Sequence, residues 1–130
     1  MQIKFASVLV DDLDKALRFY TTILGFTKMA DIPMGPMRWL TVASPDGLEG
    51  VELNFRPTAA FAPAATYQKA LFDAGIPAAG FITRDVAADF ERLKGLGVRF
   101  RGEPKNMGPI IAVLFDDTCG NLINLVQPLM

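Results

Sequence analysis

The residues VLVDDLDKALRFYTTILGF, at positions 8–26, follow an order that the chain repeats as FITRDVAADFERLKGLGV at positions 81–98. Each stretch opens with a short apolar run typical of a strand. An aspartate of the kind that caps helices follows, Asp12 in the first stretch and Asp85 in the second. Apolar residues then recur at helical spacing until a glycine, which is suited to ending a helix. Because the two aspartates are 73 positions apart, the chain contains an internal repeat.

The repeat continues beyond these stretches. Gly25 and Gly97 are expected to end the two helices, and each is followed by an apolar residue that opens an extended segment. The tripeptide Met-Gly-Pro at 34–36 returns 73 positions later at 107–109. Each half therefore reads as strand, helix, strand, Met-Gly-Pro loop, strand, glycine turn and strand.

This pattern predicts an α+β fold built from two paired βαβββ modules, with curled mixed sheets around a cavity. We expect the first module at about 1–56 and the second at about 78–130. The segment at about 57–77 contains mostly good helix formers and is predicted to be a linker helix. The residues 1–130 are then one domain.

Composition excludes several classes of function. The chain has 13 Lys and Arg against 14 Asp and Glu, so it lacks the basic excess that a nucleic-acid or anionic-membrane partner requires. No apolar run is long enough to span a bilayer and no targeting segment is visible, so we expect a cytoplasmic protein without a membrane partner. The chain contains no histidine, which is the commonest general base and metal ligand.

Two segments together resemble a known family. The residues at 8–26 resemble the opening of the vicinal oxygen chelate superfamily, which includes glyoxalase I, bleomycin resistance proteins and extradiol dioxygenases. The residues FDDTCGNLI at 115–123 resemble its closing strand, turn and strand. The resemblance implies paired βαβββ modules that curl their sheets around a cavity, usually in a homodimer.

Enzymes of this superfamily hold a metal ion with four side chains, one from the first strand and one from the last strand of each module. The resemblance places these positions at Phe5, Glu52, Ala78 and Asn124. One carboxylate and one amide fall short of the three or four donors that zinc, nickel or iron sites use. We therefore expect no metal and no other cofactor.

The same positions are candidates for binding an organic ligand. Glu52 and Asn54 lie on one face of their strand because side chains alternate, and Asn124 occupies the matching strand of the second half. Phe5 and Ala78 are the first-strand positions. Polar groups of this kind either anchor a ligand or bond to one another, to the backbone or to water.

Trp39 is the single tryptophan, and it shares a strand face with Met37 and Thr41. It suits a pocket wall that stacks on a flat ligand, and equally a core or a dimer interface. Glu52 is also a candidate general base, if apolar neighbours such as Phe5 raise the pKa of its carboxyl group.

Three functions remain open from the sequence. The first is a metal-independent protein that binds an apolar or planar small molecule in the sheet cavity, as a homodimer. The second is a lyase or isomerase of the glyoxalase family, similar to lactoylglutathione lyase, in which Glu52 is the base and Asn54 or Asn124 holds an oxyanion. The third is a partner domain without a ligand, whose inner face is filled by Phe5, Trp39, Leu122 and their neighbours.

Overall fold

The computed structural model describes residues 1–129, which form two compact units, Met1–Ala65 and the chain from Thr66 onward. The main elements, in chain order, are β1 (Phe5–Val10), α1 (Leu13–Arg18), β2 (Thr27–Met34), β3 (Met37–Ala43), β4 (Glu52–Pro57), α2 (Ala62–Asp73), β5 (Ala79–Ile82), α3 (Val86–Gly95), β6 (Arg99–Phe100), β7 (Lys105–Asn106), β8 (Ile110–Asp116) and β9 (Leu122–Pro128). The predicted α+β class is confirmed. No helix among residues 1–129 is both long enough and apolar enough to cross a membrane.

Both predicted helix caps are confirmed. The Asp12 carboxylate accepts a hydrogen bond from the Lys15 backbone N–H at 2.8 Å, and the Asp85 carboxylate accepts one from the Ala88 N–H at 3.0 Å. Each bond satisfies a backbone donor that the first turn of a helix leaves without a partner. The 73-residue repeat therefore reproduces the same local structure in both units.

The first helix differs from the regular helix that its spacing predicts. Its last turn, Phe19–Ile23, is widened, and the Leu24 N–H donates to the Phe19 carbonyl five residues earlier, at 3.1 Å. The widened turn lies where Phe19 and Tyr20 are buried. The Tyr20 ring packs against Phe55, with centroids 4.9 Å apart. Packing of these large rings therefore accompanies the departure from regular helix geometry.

The first unit contains a four-stranded sheet in the order β1-β4-β3-β2. Strands β1 and β4 run parallel, whereas β4, β3 and β2 are antiparallel. One face carries the buried core, which includes Val8, Val10, Leu40, Val42 and Phe55. We call the other face the open face of the first sheet; by strand alternation it carries Phe5, Ile32, Met34, Met37, Trp39, Thr41, Glu52, Asn54 and Arg56.

The second unit has a sheet in the order β5-β9-β8-β6, and β7 also pairs with β8. The single strand expected after Gly97 is divided into β6 and β7. Gly102, with a φ of +93°, and Pro104 lie between these two short strands. A left-handed residue and a residue without an N–H both interrupt a ladder, which explains the division.

The linker helix is observed as α2, and Gln68 is its buried residue. The Gln68 side-chain amide donates to the Cys119 carbonyl at 3.0 Å and to the Asn121 Oδ1 atom at 3.1 Å. The buried Asp117 carboxylate accepts bonds from the backbone N–H groups of Cys119 and Asn121. Two buried polar side chains, Gln68 and Asp117, therefore hold the turn before β9 through hydrogen bonds.

Candidate functional site

The sheet register brings an aromatic pair next to a carboxylate on the open face of the first sheet. Phe5 on β1 lies opposite Glu52 on β4. The Trp39 ring on β3 contacts the Phe5 ring edge-on, with centroids 5.2 Å apart and an angle of 88° between the planes. Three of the predicted site residues are thus neighbours, although they are far apart in sequence.

Both oxygens of the Glu52 carboxylate already have partners. The Thr41 hydroxyl donates to Oε1 at 2.6 Å, and the Lys4 ammonium lies 2.8 Å from Oε2. The Glu52 side chain is 13% exposed and that of Lys4 is 48% exposed. Because Lys4 and then Thr41 hydrogen-bond to the ionised form, the pKa of Glu52 lies below its usual value.

This result corrects one expectation. The candidate general-base role of Glu52 requires apolar neighbours such as Phe5 to raise the pKa of its carboxyl group, and the structure gives the opposite direction. Burial does act to raise the pKa, but the bonds from Lys4 and Thr41 outweigh it. A carboxylate with a lowered pKa and two occupied oxygens is poorly suited to accepting a proton near neutral pH.

Asn54 is buried on the same strand face, opposite Thr41 in the sheet register. Its side-chain amide donates to the Leu40 backbone carbonyl at 3.3 Å. This bond is the one expected if the Asn54 side chain is satisfied by the protein backbone and not by a ligand.

The open face of the first sheet carries apolar side chains that the first unit leaves uncovered. Exposure ranges from 47% at Phe5 to 61% at Met37, with Ile32 and Met34 between these values. Ile32 lies opposite Trp39 and Met34 lies opposite Met37, so these side chains adjoin one another on β2 and β3. A contiguous exposed apolar surface beside a few fixed polar groups is typical of a binding face.

The other two predicted positions belong to the second unit. The Ala78 backbone N–H donates to the Leu122 carbonyl at 2.8 Å, and its side chain offers only a methyl group. Asn124 lies in β9, flanked by Gly80 on β5 and Leu114 on β8, and is half-buried. Its side-chain amide forms no hydrogen bond within residues 1–129.

The residues do not fit the metal site that the resemblance implies. Of the four positions, Phe5 and Ala78 supply no donor, and the carboxylate of Glu52 is engaged by Lys4 and Thr41. Within residues 1–129, no group of three or more His, Cys, Asp or Glu side chains is close enough to hold a metal ion. The donor set is therefore too small for zinc, nickel or iron.

The β2–β3 hairpin, which carries Trp39, is attached to α1 by Arg38. The Arg38 guanidinium donates to Asp31 on β2 through Nε at 2.7 Å and Nη2 at 2.9 Å, and to Asp14 on α1 through Nη1 at 2.7 Å. These bonds raise the pKa of Arg38 and lower that of Asp31. The two parallel hydrogen bonds to the Asp31 carboxylate fix the orientation of the Arg38 guanidinium, which the single ammonium group of a lysine could not do.

An open groove of about 710 Å³ lies in the second unit, between α2 and the turn before β9. None of the predicted site residues lines it. Two pairs of its polar groups bond to each other: Lys69 bonds Asp73 at 2.8 Å, and the Asp116 carboxylate accepts the Thr118 N–H at 2.7 Å. We therefore place the candidate site on the open face of the first sheet.

Sequence reasoning missed part of this site. Thr41 was recognised as a neighbour of Trp39 on the strand but not as the partner of Glu52. Lys4 was not identified, because its proximity to Glu52 depends on the parallel pairing of β1 with β4. Strand alternation places Met37 on the face of Trp39 from the sequence alone, whereas Ile32 joins this face only through the hairpin register, which pairs it with Trp39.

Comparison with known proteins identifies the family. The model of the Glyoxalase/Bleomycin resistance protein/Dioxygenase superfamily matches residues 2–125. The chain belongs to this superfamily. The resemblance drawn from positions 8–26 and 115–123 is therefore confirmed, and so is the fold that it implies.

Relatives of this superfamily member include the uncharacterized protein YurT of Bacillus subtilis (strain 168), which is 48% identical over 128 residues, or 98% of this chain and 99% of YurT. Among solved structures, UcmS2 is 28% identical with a TM-score of 0.85, covering 97% of each chain. TnmS3, an antibiotic binding protein from Streptomyces sp. CB03234, is 32% identical with a TM-score of 0.74, covering 98% of this chain and 96% of its own.

Proposed function

We propose that this protein binds a planar or apolar small molecule against the open face of the first sheet, without a metal ion. The observation that carries the proposal is the Phe5–Trp39 ring pair, which lies half-uncovered beside a polar cluster. An edge-to-face contact occupies one edge of one ring and one face of the other, which leaves the remaining exposed ring surface for a flat ligand. Met34 and Met37 add flexible side chains that adapt to irregular apolar shapes.

Two further observations support binding. TnmS3, at 32% identity, is an antibiotic binding protein, so a related chain of this fold binds a small molecule. Leu122 is fully buried, as a domain without a ligand would require, but Phe5 is half-exposed and Trp39 is half-buried. The open face is thus not filled by the first unit's own side chains.

Metal independence is part of the proposal and follows from the donor chemistry. Glu52 is the one carboxylate at the four positions, and Lys4 already offsets its charge. The alternative of a lyase or isomerase that uses Glu52 as a base gains no support from a carboxylate with a lowered pKa. We therefore assign Glu52 to the polar border of the binding face.

The proposed assembly is a homodimer in the cytoplasm. Exposed apolar side chains on a sheet face favour association with a second copy, with the ligand, or with both. Native mass spectrometry of protein purified without chelator, then supplied with nickel, zinc and manganese, tests assembly and metal together. We expect a dimer without a tightly held ion; one retained divalent ion per chain would contradict metal independence.

Trp39 gives a direct test of ligand binding. The chain has one tryptophan, so an ¹⁵N-labelled sample gives a single indole N–H resonance that reports on this face. We expect planar aromatic compounds such as 2-naphthamide to shift that resonance in a saturable way, with the Asn54 amide moving as well. A panel of such compounds that leaves the Trp39 indole unmoved at millimolar concentration would overturn the proposal.

A further inference from the structure

We propose that the ligand of this face is a ring compound bearing an anionic oxygen, a carboxylate or phenolate, and that the Lys4 ammonium binds that oxygen. This inference rests on the proposed function, because it names the class of molecule that the same face takes. It follows from which polar groups of the face are already used and which remain available.

The Glu52 carboxylate is not available as the recognition group. Its Oε1 atom accepts the Thr41 hydroxyl at 2.6 Å and its Oε2 atom pairs with Lys4 at 2.8 Å. Its charge is offset by the adjacent ammonium. A cationic ligand at Glu52 would have to displace the side chain of Lys4, which immediately precedes β1 and whose backbone carbonyl accepts the Glu52 N–H at 2.8 Å.

The Lys4 ammonium, by contrast, has donors to spare. An ammonium group carries three N–H donors, and Lys4 directs one of them to Glu52. Within residues 1–129, Lys4 Nζ has no hydrogen-bond or salt-bridge partner other than Glu52; it also lies over the Phe5 ring, and its side chain is half-exposed. The Lys4 ammonium is therefore exposed to solvent, and two of its three N–H donors have no hydrogen-bond acceptor within residues 1–129.

The position of this cation relative to the aromatic pair sets the shape of the ligand. Lys4 Nζ lies 5.8 Å from the centroid of the Phe5 ring, and that ring contacts Trp39. A ring resting against Phe5 and Trp39 would place an oxygen substituent within reach of the ammonium. An ionised oxygen forms a shorter and stronger bond to an ammonium than a neutral one does.

The net charge of the open face also favours an anionic ligand. By strand alternation its charged side chains are Glu52 and Arg56, which lies opposite Leu9 on β1. Lys4 compensates Glu52, and within residues 1–129 no salt bridge engages Arg56. The described part of this face is thus net positive, which favours an anion over a cation.

Three naphthalene probes of the same shape test the assignment. 2-Naphthoate is anionic, 2-naphthamide is neutral and 2-naphthylmethylamine is cationic at neutral pH. Titration against the Trp39 indole resonance gives a Kd for each probe. We expect 2-naphthoate to bind about fivefold more tightly than 2-naphthamide, and 2-naphthylmethylamine to bind most weakly.

Variants test whether the preference for an anionic probe depends on the positive charge at Lys4 or on the overall charge of the protein. Lys4→Met should remove the preference for 2-naphthoate over 2-naphthamide, so that the ratio of the two Kd values falls about fivefold. Lys4→Arg should retain the preference because it keeps the positive charge. Lys69→Met is the matched control, because Lys69 pairs with Asp73 on α2 at the same distance of 2.8 Å. Thermal unfolding of each variant establishes that it is folded.

The outcomes distinguish the two proposals. An equal Kd for 2-naphthoate and 2-naphthamide, or an unchanged preference in Lys4→Met, would overturn the ligand class while the proposed function stands. Tightest binding of 2-naphthylmethylamine would also overturn it, and would assign recognition to Glu52. If none of the three probes moves the Trp39 indole, the proposed function fails, and this inference fails with it.

Discussion

Gln68 and Gly120 lie in direct contact, so that a Cβ atom added at residue 120 would be 2.7 Å from the Gln68 Cδ and Oε1 atoms. Gly120 also has a φ of +99°, which side-chain-bearing residues rarely adopt. The Gln68 amide cannot move away without losing its bonds to the Cys119 carbonyl and Asn121. This contact fixes α2 against the turn before β9.

Gly120→Ala is expected to destabilise the protein by about 2 kcal/mol, because it combines backbone strain with a clash against a bonded side chain. Urea denaturation followed by circular dichroism measures the loss. Gly95→Ala is the matched control, since Gly95 ends α3 with open space around it and no positive φ. The control should be neutral or stabilising by about 0.5 kcal/mol. Equal losses in both variants would show that the Gln68 contact is not the cause.

Phe5 and Phe55 are predicted to have opposite roles. Phe5 is half-exposed on the open face, whereas Phe55 is 1% exposed and packs on Tyr20. Phe55→Ala should cost about 3–5 kcal/mol of unfolding free energy, and Phe5→Ala about 1 kcal/mol or less. Phe5→Ala should instead weaken binding of 2-naphthamide about fivefold, through loss of the aromatic contact.

Phe61→Ala is the control for binding, because Phe61 is a similarly exposed ring that lies outside the open face. Chemical denaturation and titration of the Trp39 indole resonance are measured on all three variants. If Phe61→Ala weakens binding as much as Phe5→Ala does, the ligand does not rest on Phe5.

The pH dependence of stability should carry a contribution from Glu52. Its pKa in the folded protein lies below the ordinary value of 4.5, because Lys4 and Thr41 bond to the ionised form. A lowered pKa stabilises the folded state above pH 4.5, and this stabilisation is lost as the pH falls through the folded-state pKa. Glu52→Gln should therefore be less stable at pH 7 by about 1 kcal/mol, and the difference should shrink below pH 4.5.

Urea denaturation of wild-type protein and Glu52→Gln across pH 3–8 measures this difference. Thr41→Val, which removes the hydroxyl donor at similar volume, should reduce the pH-dependent part of the unfolding free energy. A difference that stays constant with pH would assign the effect to packing of the Glu52 side chain.

Arg38 is predicted to hold the β2–β3 hairpin to α1 through Asp31 and Asp14. Arg38→Met should lower the urea midpoint and speed hydrogen exchange of the β2 and β3 amides. Arg38→Lys should recover only part of the loss, since an ammonium cannot make the paired bonds of a guanidinium. Arg56→Met, at an exposed arginine outside any salt bridge of residues 1–129, should leave exchange in the hairpin unchanged. Similar exchange in the Arg38 and Arg56 variants would contradict this role.

Much of the fold could be predicted because its signals are local. Asp12 and Asp85 bond to backbone groups three residues away, and such caps act within a single helix turn. The duplicated order of elements then gave the βαβββ pattern. The widened turn at Phe19–Ile23 could not be predicted, because the packing that accompanies it involves Phe55, on a distant strand.

The candidate site, like the fold, could be predicted only in part from the sequence. Alternation along β4 predicted that Glu52 and Asn54 share a face, because that relation is a property of one strand. The direction of the Glu52 pKa depended on Lys4 and Thr41, which come from two other strand regions. The sequence by itself determined the family, the repeat and the side chains available. Only the tertiary structure decided which charge stands beside which ring, because electrostatic contacts depend on distances in space and not on separation along the chain.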